Sequence, residues 1–350
     1  MQDAFGREID YIRVSVTDRC NLRCVYCMPA DPVFLPGGGV LRFDELLRLC
    51  AIFAENGVKT FRVTGGEPLL RKGVITFIRK LKASPGVERV TLTTNGALLA
   101  PHVGALSRLG IDGINVSLDS ADPDIYRRIT GRDDFHNAWR SITLAIGAGI
   151  RVKLNCVPIR GINDGDILRL ARLAETLPVD VRFIELMPTD ANADSGAGMN
   201  PSVGENQGVG MSSGAGAAER RYRGVPSAEV ADLLAEAYPD LSPDHTRRGS
   251  GPARYFKSAR FKGGVGLIDA VSGHFCESCN RLRLTSEGFL RLCLFSGEGA
   301  DLRAMLRNGA DDAAIEAAVK EAVFRKPERR GAGCSGDNAG CVGRMSRIGG

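Results

Sequence analysis

Two hydrophobic rhythms alternate through the first half of the chain. Short runs rich in β-branched and aromatic residues predict strands at 11–16, 60–64, 90–93, 113–118, 151–157 and 181–185. Between them, apolar residues recur at helical spacing. The clearest stretch is 43–55, where Phe43, Leu46, Leu47, Leu49, Cys50 and Phe53 precede the helix-stopping pair Asn56-Gly57. Helices are also expected over 72–82, 98–109, 123–130, 137–148 and 166–177. Strands alternating with helices in this way predict an α/β fold, with a parallel sheet curved into a partial barrel. From Met187 to Pro226 the rhythm fails, and residues 191–218 have the Gly, Ala, Ser and Asn composition of a flexible surface insertion. A helix over 227–238, opened by a Ser227 cap, restarts the pattern. Short strands follow near 255–260, 266–270, 281–285 and 290–295, then helices near 301–307 and 312–324. These breaks divide the chain into 1–188, an insertion 189–224 and a C-terminal region 225–350.

Position within the units sorts the unusual residues. The Cys20–Cys27 loop, Gly65-Gly66-Glu67-Pro68, Thr93-Thr94-Asn95-Gly96, Ser117-Leu118-Asp119-Ser120 and Glu185-Leu186-Met187-Pro188 all follow strand ends. In a parallel barrel those ends share one rim, where catalytic loops converge. Arg13, Arg62, Lys153 and Arg182 lie on the strands themselves. A charged side chain facing the barrel interior is costly unless paired, and a triphosphate is a suitable partner; for Arg182, Glu185 is another. Lys59, Arg71, Lys72 and Arg79 read as solvated charges.

Composition narrows the classes. At 350 residues the chain exceeds one small core, and 43% hydrophobic with 25% charged residues fits a soluble globular protein. No apolar run is long enough to span a bilayer, and residues 1–7 carry no apolar signal core, so neither membrane insertion nor export is expected. Ten cysteines in such a chain favour metal binding over disulfides, hence a cytoplasmic setting. The net charge of +5 permits a small polyanionic ligand but is too weak to argue for nucleic acid.

The cysteines carry the chemistry. Cys20, Cys24 and Cys27 form C-x3-C-x2-C directly after the first strand, and no fourth cysteine follows. Three thiolates on one loop can hold three corners of a [4Fe–4S] cube, leaving one iron open for chemistry. A zinc knuckle is the bland alternative, but the next histidine is His102. Cys276, Cys279 and Cys293 form C-x2-C-x13-C, again three soft ligands. A zinc ribbon completed by His274 or Cys334 stays open there on spacing alone. Arg281 and Arg283 alternate along the strand after the pair, so both can face one cavity as anion or nucleotide ligands. Cys50 and Cys156 read as buried apolar residues, while Cys334 and Cys341 match no ligand pattern.

The first set, with Tyr26 before its last cysteine, resembles the radical S-adenosylmethionine (SAM) superfamily. Adding the second set, the phrase Cys279-Asn280-Arg281-Leu282-Arg283 and the terminal Ile348-Gly349-Gly350, the chain resembles the GTP 3',8-cyclase family from Arg13 to Gly350. That resemblance implies an incomplete (β/α)6 barrel whose C-terminal α+β region covers the open side and carries a second [4Fe–4S] cluster. It implies SAM contacts at Tyr26, Gly66, Ser117 and Met187. Contacts to GTP are implied at Arg13, Arg62, Thr93, Lys153, Arg182, Arg281, Leu282 and Arg283. Catalytic roles fall to Arg281, Arg283 and the tail glycines Gly349 and Gly350. The implied partners are a flavodoxin or ferredoxin as reductant, cyclic pyranopterin monophosphate synthase downstream, and a second copy in a homodimer. A peptide-modifying radical SAM maturase is the runner-up; a non-catalytic zinc-binding module is the alternative of another class.

Overall fold

In the computed structural model, which describes residues 1–28, 32–36, 38–187, 222–246, 248–273 and 275–329, all six expected strands of the first half form. They are β1 (Tyr11–Ser15), β2 (Thr60–Thr64), β3 (Arg89–Thr94), β4 (Gly113–Ser117), β5 (Val152–Cys156) and β6 (Asp180–Ile184). They pair in chain order and all parallel. Strand periodicity sorts their faces. Ile12, Val14, Phe61, Val63 and Leu92 point to the helical layer and join the main core, while Arg13, Arg62 and Thr93 line an interior cavity.

The covering helices are α1 (Phe43–Glu55), α2 (Val74–Lys82), α3 (Val103–Arg108), α4 (Pro123–Thr130), α5 (Phe135–Gly147), α6 (Ile167–Ala171) and α7 (Leu173–Thr176). Their ends follow local chemistry. At α4 the Asp122 carboxylate caps the amides of Asp124 and Ile125, Pro123 takes the first position, and Gly131 closes the helix at φ 67°. The stretch 98–109, expected as one helix, is a 3-10 turn (Ala100–His102) followed by α3, and 166–177 divides into α6 and α7.

The C-terminal region enters the same sheet from both edges. After α8 (Ser227–Ala237), β7 (Ser242–Asp244), β8 (Arg254–Lys257) and β9 (Gly264–Ile268) join beyond β6; β9 runs parallel to β6, the others antiparallel. Then β10 (Arg281–Leu284) lies parallel to β1, and β11 (Phe289–Arg291) and β12 (Gly299–Asp301) follow antiparallel. The sheet order is β12-β11-β10-β1-β2-β3-β4-β5-β6-β9-β8-β7, open at both ends. Helices α9 (Leu302–Arg307) and α10 (Asp312–Phe324) return to the outside of α1, where Arg48 reaches Asp312 at 2.6 Å. β7 and β12 were not foreseen from the pattern; each is three residues long. Ser227 caps nothing: it is the first helical residue after Pro226, and its amide donates to Glu185 Oε1 at 2.9 Å. No helix among the described residues is long and apolar enough to cross a membrane. The 191–218 insertion, His274, Cys334, Cys341, Gly349 and Gly350 lie outside the described residues.

Candidate active site

β1 delivers the chain directly into the first cysteine loop. The Cys24 carbonyl accepts from the amides of Cys27 (2.9 Å) and Met28 (3.0 Å), so the loop closes in a tight turn. Two supports hold it. On one side the amides of Arg23 and Val25 donate to the carbonyls of Thr130 and Ile129 at the end of α4. On the other, Gly66 N–H donates to Thr17 O and Glu67 N–H to Arg19 O, both at 2.7 Å. A Cβ on Gly66 would fall 2.3 Å from Arg19 O, and one on Gly65 2.6 Å from Thr17 O. The two glycines therefore permit backbone-on-backbone contact with the cysteine loop, a demand beyond the SAM contact that the resemblance implies for Gly66. Both also line the cavity. The buried Glu67 carboxylate, pushed up to about 7 by burial, accepts from Leu69 N, Thr94 Oγ1 and Asn95 N. Asn95 in turn donates to Asn21 Oδ1 at 2.9 Å and to Cys20 Sγ at 3.8 Å.

The expected SAM positions share this wall: Tyr26, Gly66, Ser117 and Met187 all line the cavity. The Tyr26 hydroxyl donates to Asp119 Oδ2 at 2.7 Å, and the other Asp119 oxygen accepts from Val157 N at 2.8 Å. Burial pushes the Asp119 carboxyl up to about 6. Met187 packs on Leu294 beside Phe295, so it bridges to the segment that carries Cys293.

The second cysteine set faces the first across the same space. Cys20, Cys24, Cys27, Cys276, Cys279 and Cys293 all line one cavity. Cys276 opens a 3-10 turn (Cys276–Ser278) whose carbonyl accepts from Cys279 N at 3.1 Å, and Phe295 N donates to Cys293 Sγ at 3.5 Å. Burial raises the Cys279 thiol, but Lys326 and Arg281 outweigh it and bring the group down to about 7. The Arg281 guanidinium lies 4.6 Å from the centre of the Phe275 ring.

Between the two sets runs a row of cations. Arg283, Arg13 and Arg62 are register partners on the adjacent strands β10, β1 and β2. Like charges set directly opposite one another destabilise a sheet unless an anion lies between them. Burial first, then neighbouring Arg283, drives the Arg13 guanidinium well down, and burial lowers Arg62. Burial would raise the Tyr11 phenol, yet Arg62, Arg13, Arg281 and Arg283 together bring it below its ordinary value. On the far strand Arg182, 4% exposed, has no partner for its Nε among the described residues, and neighbouring Asn155 has none there for Oδ1. Glu185 does not pair with Arg182. Its carboxylate accepts from Ser227 N, Val271 N, Ser272 N and Ser272 Oγ, tying the end of β6 to α8 and to the approach to Cys276.

Two expected nucleotide contacts sit elsewhere. Lys153 lies outside the cavity wall and donates to Arg248 O and, at 2.9 Å, to Tyr255 Oη, with Asp180 3.5 Å away. Leu282 turns to the core face of β10, opposite Arg281 and Arg283, because strand side chains alternate. Arg71 is a further correction: it is no solvated charge but donates to Val16 O and Leu41 O, each at 2.6 Å, over the Phe43 ring.

Residues 14–174 match the model of the radical SAM superfamily, and 210–331 match molybdenum cofactor synthesis C. A GTP 3',8-cyclase of Pelotomaculum thermopropionicum is 44% identical over 94% of this chain and 94% of its own length. One from Heliobacterium modesticaldum is 43% identical over 93% of each. The chain belongs to the GTP 3',8-cyclase family. Among solved structures, Streptococcus suis SuiB bound to S-adenosylmethionine shares the fold, with TM-score 0.55, 14% identity, 89% of this chain and 67% of that one covered.

Membership of this radical SAM family brings a [4Fe–4S] cluster and SAM, and the first loop fits them. Its three cysteines are free, partly accessible and line the cavity. Burial pushes Cys27 up to about 12 and Cys24 well above its usual value, so thiolates here need a cation on their open side, which iron supplies. Among the described residues no three His, Cys, Asp or Glu side chains gather as a single metal ion requires. Of the cavity residues, Tyr11, Asn155 and Lys326 went unnoticed in the sequence. Tyr11 reads as an ordinary strand aromatic, and Lys326 lies after the last helix, where nothing marks it.

Proposed function

We propose that the chain joins ribose C3' of GTP to guanine C8, forming 3',8-cyclo-7,8-dihydro-GTP in the first committed step of molybdenum cofactor synthesis. One observation carries this reading: both cysteine sets and the register row Arg283–Arg13–Arg62 face a single cavity. Cys20, Cys24 and Cys27 hold the first cluster, with Tyr26, Gly66, Ser117 and Met187 around SAM. Bound together, cluster and SAM would supply the 5'-deoxyadenosyl radical that takes the C3' hydrogen; the C3' radical then adds to C8, and one electron from the reductant with one proton gives the dihydro product. The protein's work is positioning, electrostatics and exclusion of water.

Arg13, Arg62 and Arg182, with Thr93 beside them, take the triphosphate. A polyanion would offset their mutual repulsion, and Arg182 keeps a buried Nε donor without a partner among the described residues. Arg281 and Arg283 project from the same face of β10 toward the purine. Cys276, Cys279 and Cys293 would hold a second [4Fe–4S] cluster, whose open iron would offer a ligand position to the guanine edge. Gly349 and Gly350, outside the described residues, keep the catalytic role that the resemblance implies for them. Lys153 acts from outside the cavity lining, through Tyr255 and through its charge on Arg182, and Leu282 serves by its backbone. The setting is cytoplasmic, as a homodimer, with flavodoxin or ferredoxin as electron source and cyclic pyranopterin monophosphate synthase consuming the product.

Anaerobic incubation with GTP, SAM and dithionite, followed by mass spectrometry, tests the proposal. GTP-dependent 5'-deoxyadenosine and the cyclised nucleotide are expected together. SAM cleavage without any GTP-derived product would count against it and favour a peptide-modifying activity.

A further inference from the structure

The N-terminal arm and the segment after α10 meet behind the second cysteine set, and two cations organise the meeting. Asp3 and Arg7 are buried, with Arg7 Nε donating to Asp3 Oδ2 at 2.6 Å. The rest of the Arg7 guanidinium spends its donors on carbonyls. Nη1 reaches Cys276 O at 2.8 Å and Glu328 O at 2.9 Å; Nη2 reaches Pro327 O at 2.7 Å and Lys326 O at 3.4 Å. That same segment carries Lys326, which is 2% exposed and lines the cavity. Its ammonium donates to Arg281 O at 3.0 Å and to Leu292 O. Those carbonyls belong to the residue two beyond Cys279 and the residue just before Cys293. All three limbs of the set, which are spread over 18 positions of sequence, are thereby tied to residues 326–328.

We infer that Arg7 and Lys326 form a clamp that positions Cys276, Cys279 and Cys293 for a metal cluster. The inference rests on the second-cluster reading above. Two physical points support it. First, Cys293 lies in a different strand connection from the Cys276–Cys279 turn, so closing the set costs loop entropy that a preformed tie removes before any metal arrives. Second, a buried ammonium is expensive without an opposite charge. Arg7 has Asp3; Lys326 makes no ion pair with a carboxylate among the described residues, and its open side faces the cavity. A cluster on three thiolates supplies the missing negative charge there. Hydrogen-bonding partners behind a metal's ligands tune its retention in just this way.

The test uses the full chain, anaerobically reconstituted, as wild type, Lys326→Met, Lys326→Arg and Arg7→Gln, each also in a Cys24→Ala background that isolates the second set. About eight irons per chain are expected in the wild type and between about four and eight in Lys326→Met, whose second cube is held more loosely. In the Cys24→Ala background, Lys326→Met and Arg7→Gln should lose iron to a chelator about ten-fold faster or more, with Lys326→Arg closer to the parent. The electron paramagnetic resonance signal of the first cluster, and its response to SAM, should be unchanged in Lys326→Met, which separates a clamp from general misfolding. Eight irons and parental release rates in Lys326→Met and Arg7→Gln would overturn the clamp alone. Four irons in the wild type, unaffected by Cys276→Ala, would overturn the second cluster and the clamp with it.

Discussion

Lys153 shows how a residue beside a binding site still answers to it. Burial first, then the repulsion of Arg182, lowers its ammonium to about 7, with Asp180 pulling the other way. A triphosphate at Arg62 and Arg182 would offset their repulsion and raise that value. Above pH 7 the free protein would then hold fewer protons here than the complex does. GTP binding at pH 8 should therefore take up a proton, and affinity should weaken as pH rises. Calorimetry in two buffers of different ionisation enthalpy measures this directly, and Lys153→Met should abolish the uptake. Equal heats in both buffers for the unsubstituted protein would contradict the assignment. Lys153 was legible in the sequence as a cation on a strand. Alternation places it on the interior face with Asn155, but not among the residues that line the cavity; its engagement by Arg248 O and Tyr255 Oη depends on packing between segments far apart in sequence.

Among the elements, the cysteine loop and the Gly65–Gly66 strap depend on each other. Gly66→Ala would push a methyl carbon into Arg19 O, a rigid backbone atom at 2.3 Å, with Asp18 O at 2.9 Å. Neither strand can yield without losing the paired bonds Gly66 N to Thr17 O and Glu67 N to Arg19 O. The expected cost is about 1–3 kcal/mol from overpacking, seen as a lower melting temperature and a shortfall of iron at the first site. Gly147→Ala, with open space around it, is the control and should melt no lower than the parent. An unchanged iron content in Gly66→Ala would sink the strap's role. Sequence periodicity located β1 to β6 and α1, α4 and α10 to within a residue or two, because each presents a continuous apolar face. It overlooked β7 and β12, which are too short to show alternation, and it joined α6 to α7 because their apolar positions stay in phase.

Over the whole molecule, the first cysteine set is held by β1, the Gly65–Gly66 strap and α4, none of which belongs to the C-terminal region. The second is held by β10, Lys326 and Arg7. A Cys276→Ala, Cys279→Ala double variant should therefore keep about four irons and still cleave SAM with dithionite, yet form no cyclised nucleotide. Cyclised product from that variant would remove the second set from the chemistry. The sequence by itself determined the two cysteine sets, the strand–helix alternation and the cations on the strands, since ligand spacing and hydrophobic period are local properties of the chain. Only the tertiary structure decided that β9 and β10 dock on opposite edges of one sheet, because their apolar patterns say nothing about which neighbour they pair with. That docking brings Arg283 into register with Arg13 and sets Cys276 across a cavity from Cys20. It is a matter of contacts between residues far apart in the chain, from Asp180 with Gly264 to Arg13 with Arg283, and no local rule specifies them.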